Sequence, residues 1–104
     1  MSNPKVQYVN ANGSSFIDFE NGKVCIVTLN GNSTFSFNAS NPDIYVIQLR
    51  QDATGSRTVT WPSNVVWPSN ISPTLTTTPN YSDIITFIWN GSRFIGISTN
   101  NFNA

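Results

Sequence analysis

The chain of 104 residues has no histidine, one cysteine and only five basic and five acidic side chains. It also has no apolar run long enough to cross a bilayer. Each shortage excludes a class of function. Without histidine the common general base, the usual activator of a serine or cysteine nucleophile and the commonest metal ligand are all missing. Cys25 cannot build a disulfide framework alone, and its neighbours Val24, Ile26 and Val27 mark it as a packed thiol. The five cations (Lys5, Lys23, Arg50, Arg57 and Arg93) are scattered, whereas a nucleic-acid surface needs them clustered. Formal net charge is +0 and only 10% of residues are charged, so little repulsion keeps copies of the chain apart. Met1-Ser2-Asn3-Pro4 lacks the basic region and apolar run of a secretory signal. The Asn-x-Ser/Thr triplets at Asn12, Asn32, Asn38, Asn70, Asn80 and Asn90 are then a product of the Asn-rich composition, not glycan acceptors.

What the chain does contain is strand and turn chemistry. Tyr45, Ile47 and Leu49 alternate with Gln48 and Arg50, as on a strand with one buried face. Asp52 and Gly55 suit a turn, Arg57 to Trp61 reads as the returning strand, and Pro62 stops it. Asn21-Gly22, Asn30-Gly31 and Asn90-Gly91 are strong hairpin signals. Two-residue turns at the first two put Ile17, Phe19, Val24, Ile26, Phe35 and Phe37 on one face. With Tyr45, Ile47, Leu49 and Val59 these form the expected core. Asp18, Glu20 and Lys23 fall on the opposite face at one end, as do the apolar Phe16, Cys25, Val27 and Leu29 at the other. No segment of helical length shows a 3.6-residue apolar period. The reading is an all-β, antiparallel two-sheet β-sandwich of about eight strands, jelly-roll-like, as one domain over 1–104. Residues 1–12 form an N-terminal arm and 99–104 a polar tail.

Few residues invite a chemical role. Asp18 and Glu20 resemble a paired-carboxylate site of the glycosidase kind, but beside Lys23 at a turn they read as solvated charges. Asp43, Asp52 and Asp83 sit where turns or strand starts favour aspartate, and no run has a calcium-loop pattern. The chain is not expected to be an enzyme, nor to need a cofactor or metal. Trp61, Trp67 and Trp89 are flat rings of the kind that stack on sugars, although a tryptophan before proline at a strand end also packs under a sheet edge. In the last hairpin, pairing Trp89 with Ser92 gives two apolar faces: Trp89, Phe87, Ile85 and Phe94 on one, Ile84, Ile88, Ile95 and Ile97 on the other. A sandwich needs one of these for its own core. The spare surface, taken from Ile84, Ile88, Phe94, Ile95 and Ile97, together with the stripe Cys25, Val27 and Leu29, is then covered either by the link Trp61–Pro79 or by a second copy.

The segment Gln51 to Pro62 (QDATGSRTVTWP) resembles one found in small all-β domains of bacteriophage fibre and other virion structural proteins. Trp67-Pro68, Pro73-Thr74-Leu75-Thr76 and the closing hairpin Ile84 to Ile97 continue the likeness. The resemblance implies a virion location after synthesis in the host cytoplasm, and a homotrimer, since such proteins are commonly trimeric. About ten residues precede the first strong hairpin strand, too few for a folded anchoring domain. The expectation is therefore a capsid decoration or head-fibre protein of a bacteriophage, contacting itself and other virion proteins such as the major capsid protein. The alternative is a glycan-recognising module at a tail-fibre tip, which meets host-surface glycan. Neither reading involves nucleic acid or membrane insertion.

Overall fold

Strand β2 (Val24–Asn38) passes straight through Asn30-Gly31 and sets the architecture. Its odd-numbered residues from Cys25 to Phe35 are buried, and the even-numbered ones are not. A two-residue hairpin turn would have inverted that parity, placing Val24 and Ile26 with Phe35 and Phe37. A continuous strand keeps it, so Cys25, Val27 and Leu29 lie in the core and Val24 and Ile26 face outward. Asn30 and Gly31 lack the positive φ that such a turn demands. Gly31 is needed for a different reason: a Cβ there would collide with the Asn12 side chain. At the other Asn-Gly signal Asp18 caps a 3-10 turn, Phe19–Asn21, by accepting a hydrogen bond from the Glu20 N–H. A Cβ on Gly22 would lie 2.6 Å from the Lys5 carbonyl oxygen. Both glycines permit close approach and neither makes a hairpin.

The computed structural model describes residues 5–104. Besides β2 it contains β1 (Val6–Asp18), β3 (Asp43–Gln51), β4 (Val59–Thr60), β5 (Val65–Val66), β6 (Ser82–Trp89) and β7 (Phe94–Phe102). A second 3-10 turn spans Pro68–Asn70, and no α-helix occurs among the described residues. The chain is all-β as expected, but its strands join one mixed seven-stranded sheet, ordered β1-β2-β3-β6-β7-β5, with β4 on β2. The expected antiparallel order fails for the first half, because β1, β2 and β3 are parallel neighbours. From Val6 on, the expected arm is part of β1, while residues 1–4 of it lie outside the described residues.

Parallel neighbours joined by so few residues require the chain to wind. Straight, the fifteen residues of β2 would span roughly 50 Å, more than the 37 Å longest dimension of the molecule. The strands therefore bend, and the β1–β2 register shifts between Ala11 and Gly13. Each winding has two legs. In the first leg Val6, Val24 and Val46 lie side by side. In the second leg β1 residues Gly13–Asp18 lie beside Ser33–Asn38, and β4 continues the stack on Ser33 and Thr34. The expected hairpin from Tyr45 to Trp61 is thus the third winding: its two strands pair with β2, not with each other.

The last hairpin forms as expected in type and faces. β6 and β7 are antiparallel, with Trp89 opposite Phe94 instead of Ser92. Asn90 widens the turn because its side-chain oxygen accepts from the Ser92 and Arg93 N–H groups. A slip of two residues leaves every side chain on its expected face. β6 also pairs antiparallel with β3, joining the hairpin to the windings.

Between these elements lies an aromatic core. Phe87 and Phe94 are fully buried, and Phe37 contacts both edge-on with ring centroids 5.3 Å apart. Phe19 stacks on Tyr45 at 4.7 Å. Ile17, Phe19, Phe35, Tyr45, Ile47 and Leu49 are buried as expected, with Phe37 and Val59 packed partly buried against them.

Candidate functional site

The loop between β3 and β4 carries the turn residues Asp52 and Gly55, held in place by hydrogen bonds within and around the loop. Gln51, only 2% exposed, donates from its amide to the carbonyls of Arg57 and Thr76, both at 3.0 Å. Its side-chain oxygen accepts from the Arg57 N–H at 2.9 Å. One side chain thereby pins both ends of the loop and the Pro/Thr-rich link beside it. Asp52 accepts from the Thr54 and Gly55 N–H groups and takes a two-point contact from the Arg57 guanidinium. The Arg57 hydrogen bond is the main reason its carboxyl is held below the ordinary range, with smaller help from the two backbone donors. Gly55 has a φ of 74°, and a Cβ there would lie 2.5 Å from the Thr77 carbonyl oxygen. The motif is a clasp.

The other acidic residues are similarly committed. Asp83, 2% exposed, accepts from the Thr76 N–H and hydroxyl and from the Asn101 N–H, tying link, β6 and tail together. Asp18 also accepts from the Asn38 amide, and Glu20 accepts from the Ser40 N–H. Lys23 pairs with Asp43 at 2.6 Å, not with the two acids near it in sequence. That ion pair raises the Lys23 pKa and lowers that of Asp43. Burial pushes the Cys25 thiol up to about 12, so it is protonated and inert at neutral pH. Among the described residues no three His, Cys, Asp or Glu side chains come together.

The three tryptophans pack mainly against other aromatic rings. Trp61 meets Phe35, Phe37, Trp67 and Phe87 edge-on. Trp67 lies over Gly96, where a Cβ would sit 2.5 Å from its ring. Trp89 stacks on Phe94 at 4.3 Å, and its buried indole N–H has no partner. Trp67 also borders a groove of about 480 Å³ that it shares with Pro68, Ile71, Pro73 and Ile97.

The expected contact surface divides. Phe94 is 1% exposed and belongs to the core, so it is removed from the surface set; Cys25, Val27 and Leu29 leave it for the same reason. Ile88, Ile95 and Ile97 are exposed and Ile84 half-buried on the outer side of the sheet. The link packs Trp61, Trp67 and Leu75 against the core and meets Ile97 along the groove, while Ile88 stays 49% and Ile95 41% exposed. Sequence reasoning missed that β3 adds Ile44 and Val46 to the same outer face. The alternation of Ile44 and Val46 against Tyr45 and Ile47 carried that signal.

Polar groups consumed internally around an aromatic core make a structural domain. The family described as "Putative phage tail fibre C-terminal domain" matches residues 18–93, most of the chain, and the chain belongs to that family. No curated protein and no solved structure matches it. The protein is thus a bacteriophage structural protein and a virion component.

Proposed function

We propose that the chain serves as a non-enzymatic folded unit of a tail fibre, rather than as a capsid decoration or head-fibre protein. Membership of a tail-fibre family over residues 18–93 carries this reading. The clasps at Gln51, Asp52 and Asp83 suit it, because a fibre domain must hold its shape without a ligand to order it. Its partners are then other fibre segments, and the major capsid protein is not among them. Gold-labelled antibody against the domain, imaged on intact particles, tests the assignment. Label along or at the end of the tail fibres is the expected result; label over the capsid surface overturns it.

The groove beside Trp67 supports a second reading, host-glycan recognition at the fibre tip. Its volume falls within the range of small-ligand sites, and Ile71 stands 71% exposed at its wall. Trp61 and Trp89 take no part in this version, since their rings are engaged in the core. Ile71→Glu leaves the fold intact and abolishes glycan-array binding if the groove is the site. Binding that survives Ile71→Glu excludes it.

A further inference from the structure

Asn12, Asn21, Asn30 and Asn90 each precede a glycine. An asparagine in that setting can close on its own backbone, because glycine has no side chain to shield its nitrogen from the asparagine amide. The reaction needs a side chain free to turn toward the next peptide bond, a glycine nitrogen that is not held, and room for the ring that forms. The fold removes these freedoms unequally. The Gly22 N–H donates to the Phe19 carbonyl, and a Cβ on Gly22 would collide with the Lys5 backbone. Gly31 is buried beneath the Asn12 side chain. The Asn90 side-chain oxygen accepts from the Ser92 and Arg93 N–H groups at 2.9 and 2.8 Å, so its amide must leave both bonds before it reacts. Asn12 is under none of these restraints. It is exposed, and its side chain makes no hydrogen bond with a described residue. It lies where the register with β2 skips from Ala11 to Gly13, so it has no partner across the ladder. β1 is also an edge strand, and its other side pairs with no described strand. Gly13 has a φ of 76° and nothing within 4 Å of where a Cβ would stand.

We propose that Asn12 is a self-modification site, where the folded domain converts asparagine to aspartate and isoaspartate. The Gly13 backbone nitrogen gives up its proton to hydroxide and forms a bond to Asn12 Cγ. The Cγ–Nδ2 bond breaks, and that nitrogen takes a proton from water and leaves as ammonia. Water then opens the cyclic imide. If it cleaves the new bond from Cγ to the Gly13 nitrogen, the product is aspartate on an unchanged backbone. If it cleaves the original bond from the Asn12 carbonyl carbon to that nitrogen, the chain thereafter runs through Cγ. That product is isoaspartate, with an extra atom in its backbone. Nothing is oxidised or reduced, and water is the only co-reactant. The place gives the change a consequence. Asn12 stands where β1 passes from its first leg to its second, and its side chain covers Gly31 of β2. Both products set a carboxylate beside Gly31 in place of the amide. Isoaspartate also lengthens the backbone at this corner, so β1 opens from β2 more readily there. The inference goes beyond the fibre assignment and holds wherever in the virion the domain sits.

Peptide mapping by mass spectrometry tests the proposal on the full chain kept for days at mildly alkaline pH. In the folded protein Asn12 is expected to convert several-fold faster than Asn21, Asn30 or Asn90, with isoaspartate the larger product. In guanidinium chloride the four rates are expected to draw together, because the restraints on the other three sites are gone. Hydrogen exchange on the aged, folded protein reads the consequence, and residues 10–15 should exchange faster than in fresh protein. Asn12→Gln, whose longer side chain closes a larger ring far more slowly, should show no such change after the same ageing. The mapping uses the parent chain and does not depend on how the variant folds. Folded protein in which Asn90 reacts first, or in which Asn12 is no faster than Asn21 and Asn30, overturns the proposal. So does the same order of rates in guanidinium chloride, since local sequence alone would then set it. Unchanged exchange at residues 10–15 after Asn12 has converted overturns the loosening of β1.

Discussion

The two legs of each winding share the same strands and the same core, yet they meet the outside differently. On the leg through Ser33–Asn38 the chain places serine, threonine and asparagine outward, with Phe16 of β1 the large exception. On the leg through Val24–Leu29 it places Val24 and Ile26 there, with Thr28 after them. Composition cannot explain the contrast, because hydroxyl and amide residues are plentiful throughout the chain. Ile44 and Val46 of β3, Ile88 of β6 and Ile95 and Ile97 of β7 continue the apolar part of that leg, which gives way to Gln48 and Arg50 further along β3, while β4, on the other leg, turns Thr60 outward. The pattern is a property of place. The outer face is polar on one leg and carries valine and isoleucine on the other.

Breaking the core common to both legs should have the largest effect. Phe87 contacts Phe37, Trp61, Trp67 and Phe94. Phe87→Ala is expected to cost roughly 3–5 kcal/mol in urea unfolding, through lost transfer energy and the remaining cavity. Both legs should melt in one transition, and a biphasic curve would mean they are separable. Next is the corner where the third winding passes from one leg to the other. Gln51→Ala strands the Arg57 N–H and two carbonyls away from water. A loss of about 1–3 kcal/mol is expected, with hydrogen exchange accelerated first at Arg57.

A smaller effect concerns acid. The native pKa of Asp52 is lowered, so its stabilising contribution is complete above the ordinary carboxylate value near ~4. It is lost as pH falls from there through the depressed native value. Asp52→Asn should therefore be less stable than the parent at neutral pH, with the gap closing in strong acid. A gap independent of pH would assign the effect to the lost backbone hydrogen bonds instead. Smallest of all is Phe16→Ser, at an exposed position outside the core. Its unfolding free energy should stay within about 0.5 kcal/mol of the parent, and a larger loss would show that the Phe16 ring contributes to the fold from the polar leg.

The sequence made some of this legible and concealed the rest for identifiable reasons. Period-two alternation located β3, β6 and β7, and the inward choice of Tyr45, Ile47 and Leu49 was sound because alternation depends on one strand alone. Pairing partners depend on turns, and there the reading failed. Asn21-Gly22 and Asn30-Gly31 carry the residues of a tight hairpin, but the same glycines serve where two backbones or a backbone and a side chain crowd together. Residue type does not distinguish the two uses; φ does. The error then moved Val24 and Ile26 into the core and Cys25, Val27 and Leu29 out of it. The Asn90-Gly91 hairpin survived a mistaken register because the slip was even. Of the candidate site, the loop chemistry of Asp52 and Gly55 was visible, whereas the role of Gln51 was not, since its partner Thr76 lies far along the chain.

The winding also sets an order in time. β6 and β7 are neighbours in sequence as well as in space, and a hairpin of this kind forms in about 1–10 μs. The parallel strands β1, β2 and β3 instead pair residues farther apart in sequence, Val6 with Val24 and Val24 with Val46, and such non-local pairing is intrinsically slower. During synthesis the slow part emerges first, and β3 presents a bare hydrogen-bonding edge until β6 leaves the ribosome to cover it. Translation that stalls after Gln51 would leave that edge open to any passing strand. It is the later-made hairpin that ends the exposure.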